Sequence, residues 1–210
     1  VKFLNARQNR YVFEFVEIPA RRRYELLADG KIDMVFFEMP LWGWTDIAGK
    51  VETTTPLVRG SDVMVSREDH PLGSQVFDEL QKRKIAVTFG YHYGFSGFSA
   101  DPDHIRTKFN VIFAKTQRHA LKHVLTGNAD IAIVSDAFLD NETREQPALA
   151  ATLRIADRVD QRYELPLLVR RMGPIGAGAL NQILTEVIAD GSFGRFLADE
   201  GLSGFSVVNE

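Results

Sequence analysis

Two segments of this chain repeat one signal: a helix-compatible stretch, a glycine, an aspartate three residues later, then an apolar run. The first copy is Leu26-Leu27-Ala28-Asp29-Gly30-Lys31-Ile32-Asp33 followed by Met34-Val35-Phe36-Phe37. The second is Val124-Leu125-Thr126-Gly127-Asn128-Ala129-Asp130 followed by Ile131-Ala132-Ile133-Val134. Glycine ends a helix without the Cβ penalty of a left-handed residue, and a short continuous apolar run beyond it reads as a buried parallel strand. The pattern therefore predicts two α/β halves and a cleft between them.

The 210 residues, 45% of them hydrophobic, suffice for one large core or two small ones. A formal charge of −3 supplies no broad basic field and argues against a nucleic-acid partner held by phosphate contacts. Cysteine is absent, which rules out both a disulfide framework and a thiolate metal site. No apolar stretch reaches the roughly 18 to 20 residues that span a bilayer. The chain starts at Val1 on what reads as the tail of a helix, so removal of upstream residues is expected.

Residues 11–18, rich in aromatic and β-branched side chains with partial alternation, predict a strand. Pro19 then opens a helix over residues 20–29 that buries Leu26 and Leu27, and residues 32–37 complete a βαβ unit with a right-handed crossover. Residues 38–60 are loop-rich and residues 62–66 a short strand. A second unit follows: strand 85–89, the turn Gly90-Tyr91-His92-Tyr93-Gly94, strand 111–114, helix 117–126 and strand 131–134. Residues 163–170 read as a strand in which Pro166 marks an edge or a crossing between domains. Helices over 175–190 and 192–199 close the chain, divided at Gly191.

Several of these segments in this order carry a resemblance: Arg23 to Asp33, Thr55-Pro56-Leu57 before a strand, Lys84-Ile85-Ala86-Val87-Thr88-Phe89-Gly90, Leu125 to Asp130, and Ala189-Asp190-Gly191-Ser192-Phe193-Gly194. Across essentially the whole chain the sequence resembles the type 2 periplasmic solute-binding proteins of family 3, although the family's usual first strand has no counterpart. The resemblance implies a two-lobed α/β fold joined by a two-strand hinge. Lobe I would comprise residues 1–68 and 163–210, and lobe II residues 69–162, with hinge crossings near 67–71 and 161–165. It implies a non-enzymatic, monomeric periplasmic protein with no cofactor, capturing a small polar, amino-acid-like ligand in an interdomain cleft for an ABC permease. Amino-acid binders of the family commonly carry an arginine shortly before the segment matching residues 51–57, but only Lys50 stands between Trp42 and Val51. They also commonly carry an aspartate five residues after the position of Asp130, where this chain has Ser135. Both departures argue against an ordinary α-amino acid.

In open α/β sheets, ligands settle beyond the carboxyl ends of strands. That rule selects Glu38, Trp42 and Trp44 in the first half, and Tyr91, His92, Thr116, Ser135 and Asp136 in the second. The tryptophans can stack on a planar or cationic group or anchor their loop. Glu38 can face a ligand ammonium or simply meet solvent. Backbone N–H groups in the 90–94 turn suit a ligand carboxylate, while glycines there are also ordinary loop chemistry. Thr116 and Asp136 are placed to cap helices. Of the Arg21-Arg22-Arg23 run, helical phase puts Arg23 nearest the Tyr24 and Leu27 face and turns Arg21 away, making Arg23, or Arg22, the better anion contact, against a solvated helix start. His119 and His123 share a helical face but lack the companion glutamate of a metal motif and lie opposite Leu121 and Val124, so no metal site is expected. The alternatives are a sensor domain of a receptor or a LysR-type regulator, and a cyclohexadienyl dehydratase-like enzyme whose acid would be Glu38 or Asp136.

Overall fold

The structure, a computed structural model, describes residues 1–202 and 204–208. The chain divides into two compact units, one formed by Val1–Arg59 with Glu164–Glu210 and the other by Gly60–Tyr163. Ser203 and the last two residues of the expected 163–210 segment lie outside the described residues. The two chain passages between units fall within the strands Val58–Arg67 and Leu153–Leu165.

In the first unit the strand Leu168–Arg170 lies between Met34–Val35 and Val51–Thr53, antiparallel to both. The 32–37 run is thus a two-residue strand with an antiparallel neighbour, rather than the six-residue parallel strand predicted. Residues 11–18 form no strand at all. Their burial does not alternate either: Phe13 is buried while Val12 and Phe15 are 84% and 78% exposed, and among the described residues no strand supplies backbone partners. The expected βαβ unit is accordingly absent here. A core of Leu27, Trp44, Val51 and Leu168 holds the unit together, with Tyr24, Ile32 and Trp42 against it.

Order in the second sheet runs Asn110–Ala114, Lys84–Thr88, Ile131–Ser135, Val58–Arg67, Leu153–Leu165. The first three strands are parallel, and Val58–Arg67 runs antiparallel to Ile131–Ser135. The unbroken apolar runs within Lys84–Thr88 and Ile131–Ser135 follow from burial on both faces. Ala86, Ala132 and Val134 pack on Ala120, Leu121 and Val124 of the helix Gln117–Leu125. Ile85, Val87, Ile131 and Ile133 face Val76, Phe77 and Tyr93 on the other side. The polar stretch beyond Ser135 is helical, over Asp136–Glu145 and Pro147–Ala150.

Both copies of the repeated signal close in the same way. Gly30 and Gly127 take φ values of +69° and +72°. The next residue, Lys31 or Asn128, donates its N–H to the carbonyl five back, Leu26 or His123, at 2.9 and 2.8 Å. Each aspartate then pins the following strand to a neighbour. Asp33 takes Arg170 through backbone and side chain at 2.8 and 2.7 Å, and Asp130 Oδ2 accepts the Lys84 N–H at 2.8 Å.

Candidate functional site

In the first unit three predicted residues converge. Arg23 starts the helix Arg23–Ala28, and Glu38 and Trp44 lie beyond the strand Met34–Val35. Arg23 Nε sits 2.8 Å from Glu38 Oε1, at an angle that leaves Nε without an aligned hydrogen bond, and both residues are under a tenth exposed. Glu38 Oε2 accepts the Trp44 indole N–H at 2.9 Å, and the Arg23 guanidinium lies 4.5 Å from the Tyr24 ring centre. Trp44, 1% exposed, anchors its loop. Trp42 is half-buried, and its carbonyl accepts the Tyr24 hydroxyl at 2.7 Å.

Burial pushes the Glu38 carboxyl up, with Arg23 and Trp44 opposing, and it drives the Tyr24 hydroxyl to about 12. The charge of Arg23 is thus met inside the unit by Glu38, not left facing solvent as a bare anion contact. A cavity of about 420 Å³ is bordered by Trp44, Val51, Leu168, Glu52 and Arg171. Its two charged residues face each other at 3.4 Å.

The second unit gathers a larger polar group. Tyr91 and His92 follow the strand Lys84–Thr88. Tyr91 is 45% exposed and stacks on Tyr93, while His92 is buried. His92 Nδ1 lies 2.6 Å from the Phe98 carbonyl, which can only accept, so Nδ1 carries the proton. The last N–H group of this turn and the one just beyond it are both taken up within the chain. Gly94 and Phe95 donate to Asp160 at 2.6 and 2.8 Å. Gln161, the next residue, donates through Nε2 to the His92 carbonyl and to Asp62 Oδ2, both at 2.7 Å.

Asp136 does not cap its helix. Ser135 does, accepting the Phe138 N–H at 3.2 Å, and Asp136 Oδ2 instead receives the backbone N–H and hydroxyl of Ser61, both at 2.8 Å. Thr116 does cap the helix Gln117–Leu125, with its hydroxyl 2.9 Å from His119 Nδ1. Gln117 Oε1 accepts the Ser135 N–H at 2.7 Å, which ties the first turn of that helix to the end of the strand Ile131–Ser135.

Tyr163 adds its hydroxyl to the Ser61 carbonyl at 3.2 Å, and burial, then Asp62, Asp136 and Tyr91, push that phenol upward. Ser61, Asp62, Asp160, Gln161 and Tyr163 escape the strand-end rule because they lie on Val58–Arg67 and Leu153–Leu165, the two strands that leave the unit. A search at those crossing strands, with their run of polar residues, is what would have found them. This cluster is rich in acceptors. Its chemistry suits a hydrogen-bonding or cationic group.

This arrangement belongs to the type 2 periplasmic-binding-protein fold. Neither a family model nor a curated protein sequence matches the chain. Solved structures do. The substrate-binding protein of an amino acid ABC transporter aligns with a TM-score of 0.64 at 16% identity, over 89% of this chain and 78% of that one. A mutant of ArgBP from T. maritima gives 0.65 at 17% identity, over 89% and 76%. A histidine kinase sensor domain similar to periplasmic binding proteins gives 0.63 at 16% identity, over 90% and 77%.

Proposed function

We propose that this chain is a periplasmic solute-binding protein that captures a small polar, nitrogen-bearing organic solute and presents it to an ABC permease. The observation that carries the reading is the polar constellation of the second unit: Tyr91, His92, Asp62, Asp136 and Tyr163 gathered at strand ends and crossing strands, where this fold class places ligands. The similarity to amino-acid-binding proteins supports the solute class. Among the described residues no helix is long and apolar enough to cross a membrane. Tyr91, His92, Ser135 and Asp136 are the proposed contacts of the second unit, with Thr116 at its edge. In the first unit Trp42 is the proposed contact, and Glu38, Arg23 and Trp44 shape the surface beside it. The protein acts as a monomer, without a cofactor and without turnover.

The test is thermal unfolding against a panel of amino acids, polyamines and small carboxylates. A ligand that binds only the folded state raises the midpoint progressively with concentration, by an amount set by its affinity. At least one such solute is expected, and a flat response across the panel contradicts the reading. The similarity to a kinase sensor domain favours a second reading, ligand sensing for signalling. The gene around this segment separates them: a transmembrane segment and kinase module beyond Glu210 mean sensing, and a stop codon there after an N-terminal signal peptide means transport.

A further inference from the structure

In the turn after the strand Lys84–Thr88, two successive backbone N–H groups are held by a carboxylate belonging to the chain itself. Gly94 N donates to Asp160 Oδ2 at 2.6 Å and Phe95 N to Asp160 Oδ1 at 2.8 Å. One carboxylate spanning two amides is the geometry that a bound carboxylate solute would adopt. The fit is close. A Cβ on Gly94 would overlap the Asp160 carbonyl oxygen and come within 3.4 Å of Oδ2, so only glycine lets the strand approach the turn this far. Gln161 fixes the same approach through the His92 carbonyl and Asp62. Tyr91 and His92, proposed as solute contacts, belong to this turn.

We propose that Asp160 is a specificity-determining residue: it occupies the place of a solute carboxylate, so that the second unit prefers an amine or guanidine to the α-amino acid that differs from it only by that carboxylate. The inference rests on the solute-binding reading for its consequence, but not for its structural premise. Asp136 reinforces the preference: its carboxyl is held by the Ser61 N–H and hydroxyl at 2.8 Å, on the residue whose carbonyl accepts the Tyr163 hydroxyl, so a second anion there would meet a carboxylate while a cation would be attracted. A carboxylate solute entering this turn would have to displace Asp160 from both amides.

Agmatine and L-arginine form a suitable probe pair, identical except for the carboxylate. In calorimetric titrations of the whole chain, agmatine is expected to bind at least about tenfold tighter than arginine, and Asp160→Ala is expected to erase that ratio. Asp160→Asn, which keeps the side-chain shape and one acceptor, should move the ratio in the same direction and serves if the alanine variant does not fold. Equal or tighter arginine binding by the native chain, or a ratio unchanged in a folded variant, overturns the proposal.

Sodium acetate titrated into ¹⁵N-labelled protein reads the turn independently of the solute. The Gly94 and Phe95 amide resonances should stay put in the native chain and shift saturably in Asp160→Ala or, more weakly, in Asp160→Asn. If neither guanidine binds, that acetate result still decides. A saturable shift confined to the variants upholds the role of Asp160 while counting against the solute class, and no shift in a folded variant overturns the role.

Discussion

Asp62 and Gln161 share a 2.7 Å hydrogen bond inside the second unit, with the amide of Gln161 donating to a carboxyl group that is itself almost wholly buried. Burial, reinforced by Asp160 and Asp136, raises that carboxyl from 3.8 to about 7 despite the hydrogen bond from Gln161. The folded chain therefore keeps a proton that the unfolded chain releases near pH 4. The stability this contributes is fully present below the unfolded value and is lost as pH rises through about 7. Its whole span is on the order of 4 kcal/mol at most. Glu38 and Asp160 are shifted in the same direction, so they add to the slope. Urea midpoints measured at pH 5, 6.5 and 8 should fall with pH, and less steeply in Asp62→Asn. A midpoint that rises, or an unaltered slope in the variant, contradicts this account of Asp62.

Glu38→Ala leaves the Arg23 guanidinium buried without its counter-charge and strips the Trp44 indole of its acceptor. Breaking a buried pair from one side costs roughly 3 to 5 kcal/mol, far more than an exposed pair is worth. Chemical denaturation should therefore show a loss of about 3 kcal/mol or more, with Glu38→Gln milder because it keeps an acceptor. A loss under about 1 kcal/mol, coupled to lost solute binding, would return Glu38 to the role of a direct ligand contact.

Gly30→Ala and Gly127→Ala should each cost about 1 to 2 kcal/mol through the left-handed backbone alone. The added methyl meets only side-chain atoms near the ends of Arg170 and Arg67, at 3.3 and 3.2 Å, rather than backbone. Gly178 is the control: it lies in the helix Ala177–Ala189 with nothing within 4 Å of a new Cβ. Gly178→Ala should instead stabilise by roughly 0.5 kcal/mol. Thermal unfolding of the three variants checks both signs, and a destabilised Gly178→Ala or an unaffected Gly127→Ala would contradict the backbone argument.

These glycines show what the sequence made legible. A left-handed helix stop is a local requirement, so Gly30 and Gly127 announce two helix ends and the strands after them. The helical phase of Arg23, buried on the Tyr24 side as expected, and the cap at Thr116 are equally local. Residues 11–18 misled because alternation specifies a face, while a strand also needs a neighbour to accept its hydrogen bonds. Asp160 and Gln161 stayed hidden for the opposite reason. Their polar strand reads as solvent-facing, and the turn they hold lies 66 and 69 positions away along the chain. Without that contact, the turn's amides looked open to a ligand.

Calorimetric titration of the purified chain with the solute that most raises its melting temperature tests the central claim most directly. The account requires saturable binding of one solute per chain, weakened at least tenfold by Tyr91→Ala or Asp136→Ala in variants that stay folded. Absence of saturable binding by any solute in the panel, or full affinity in both folded variants, would contradict it.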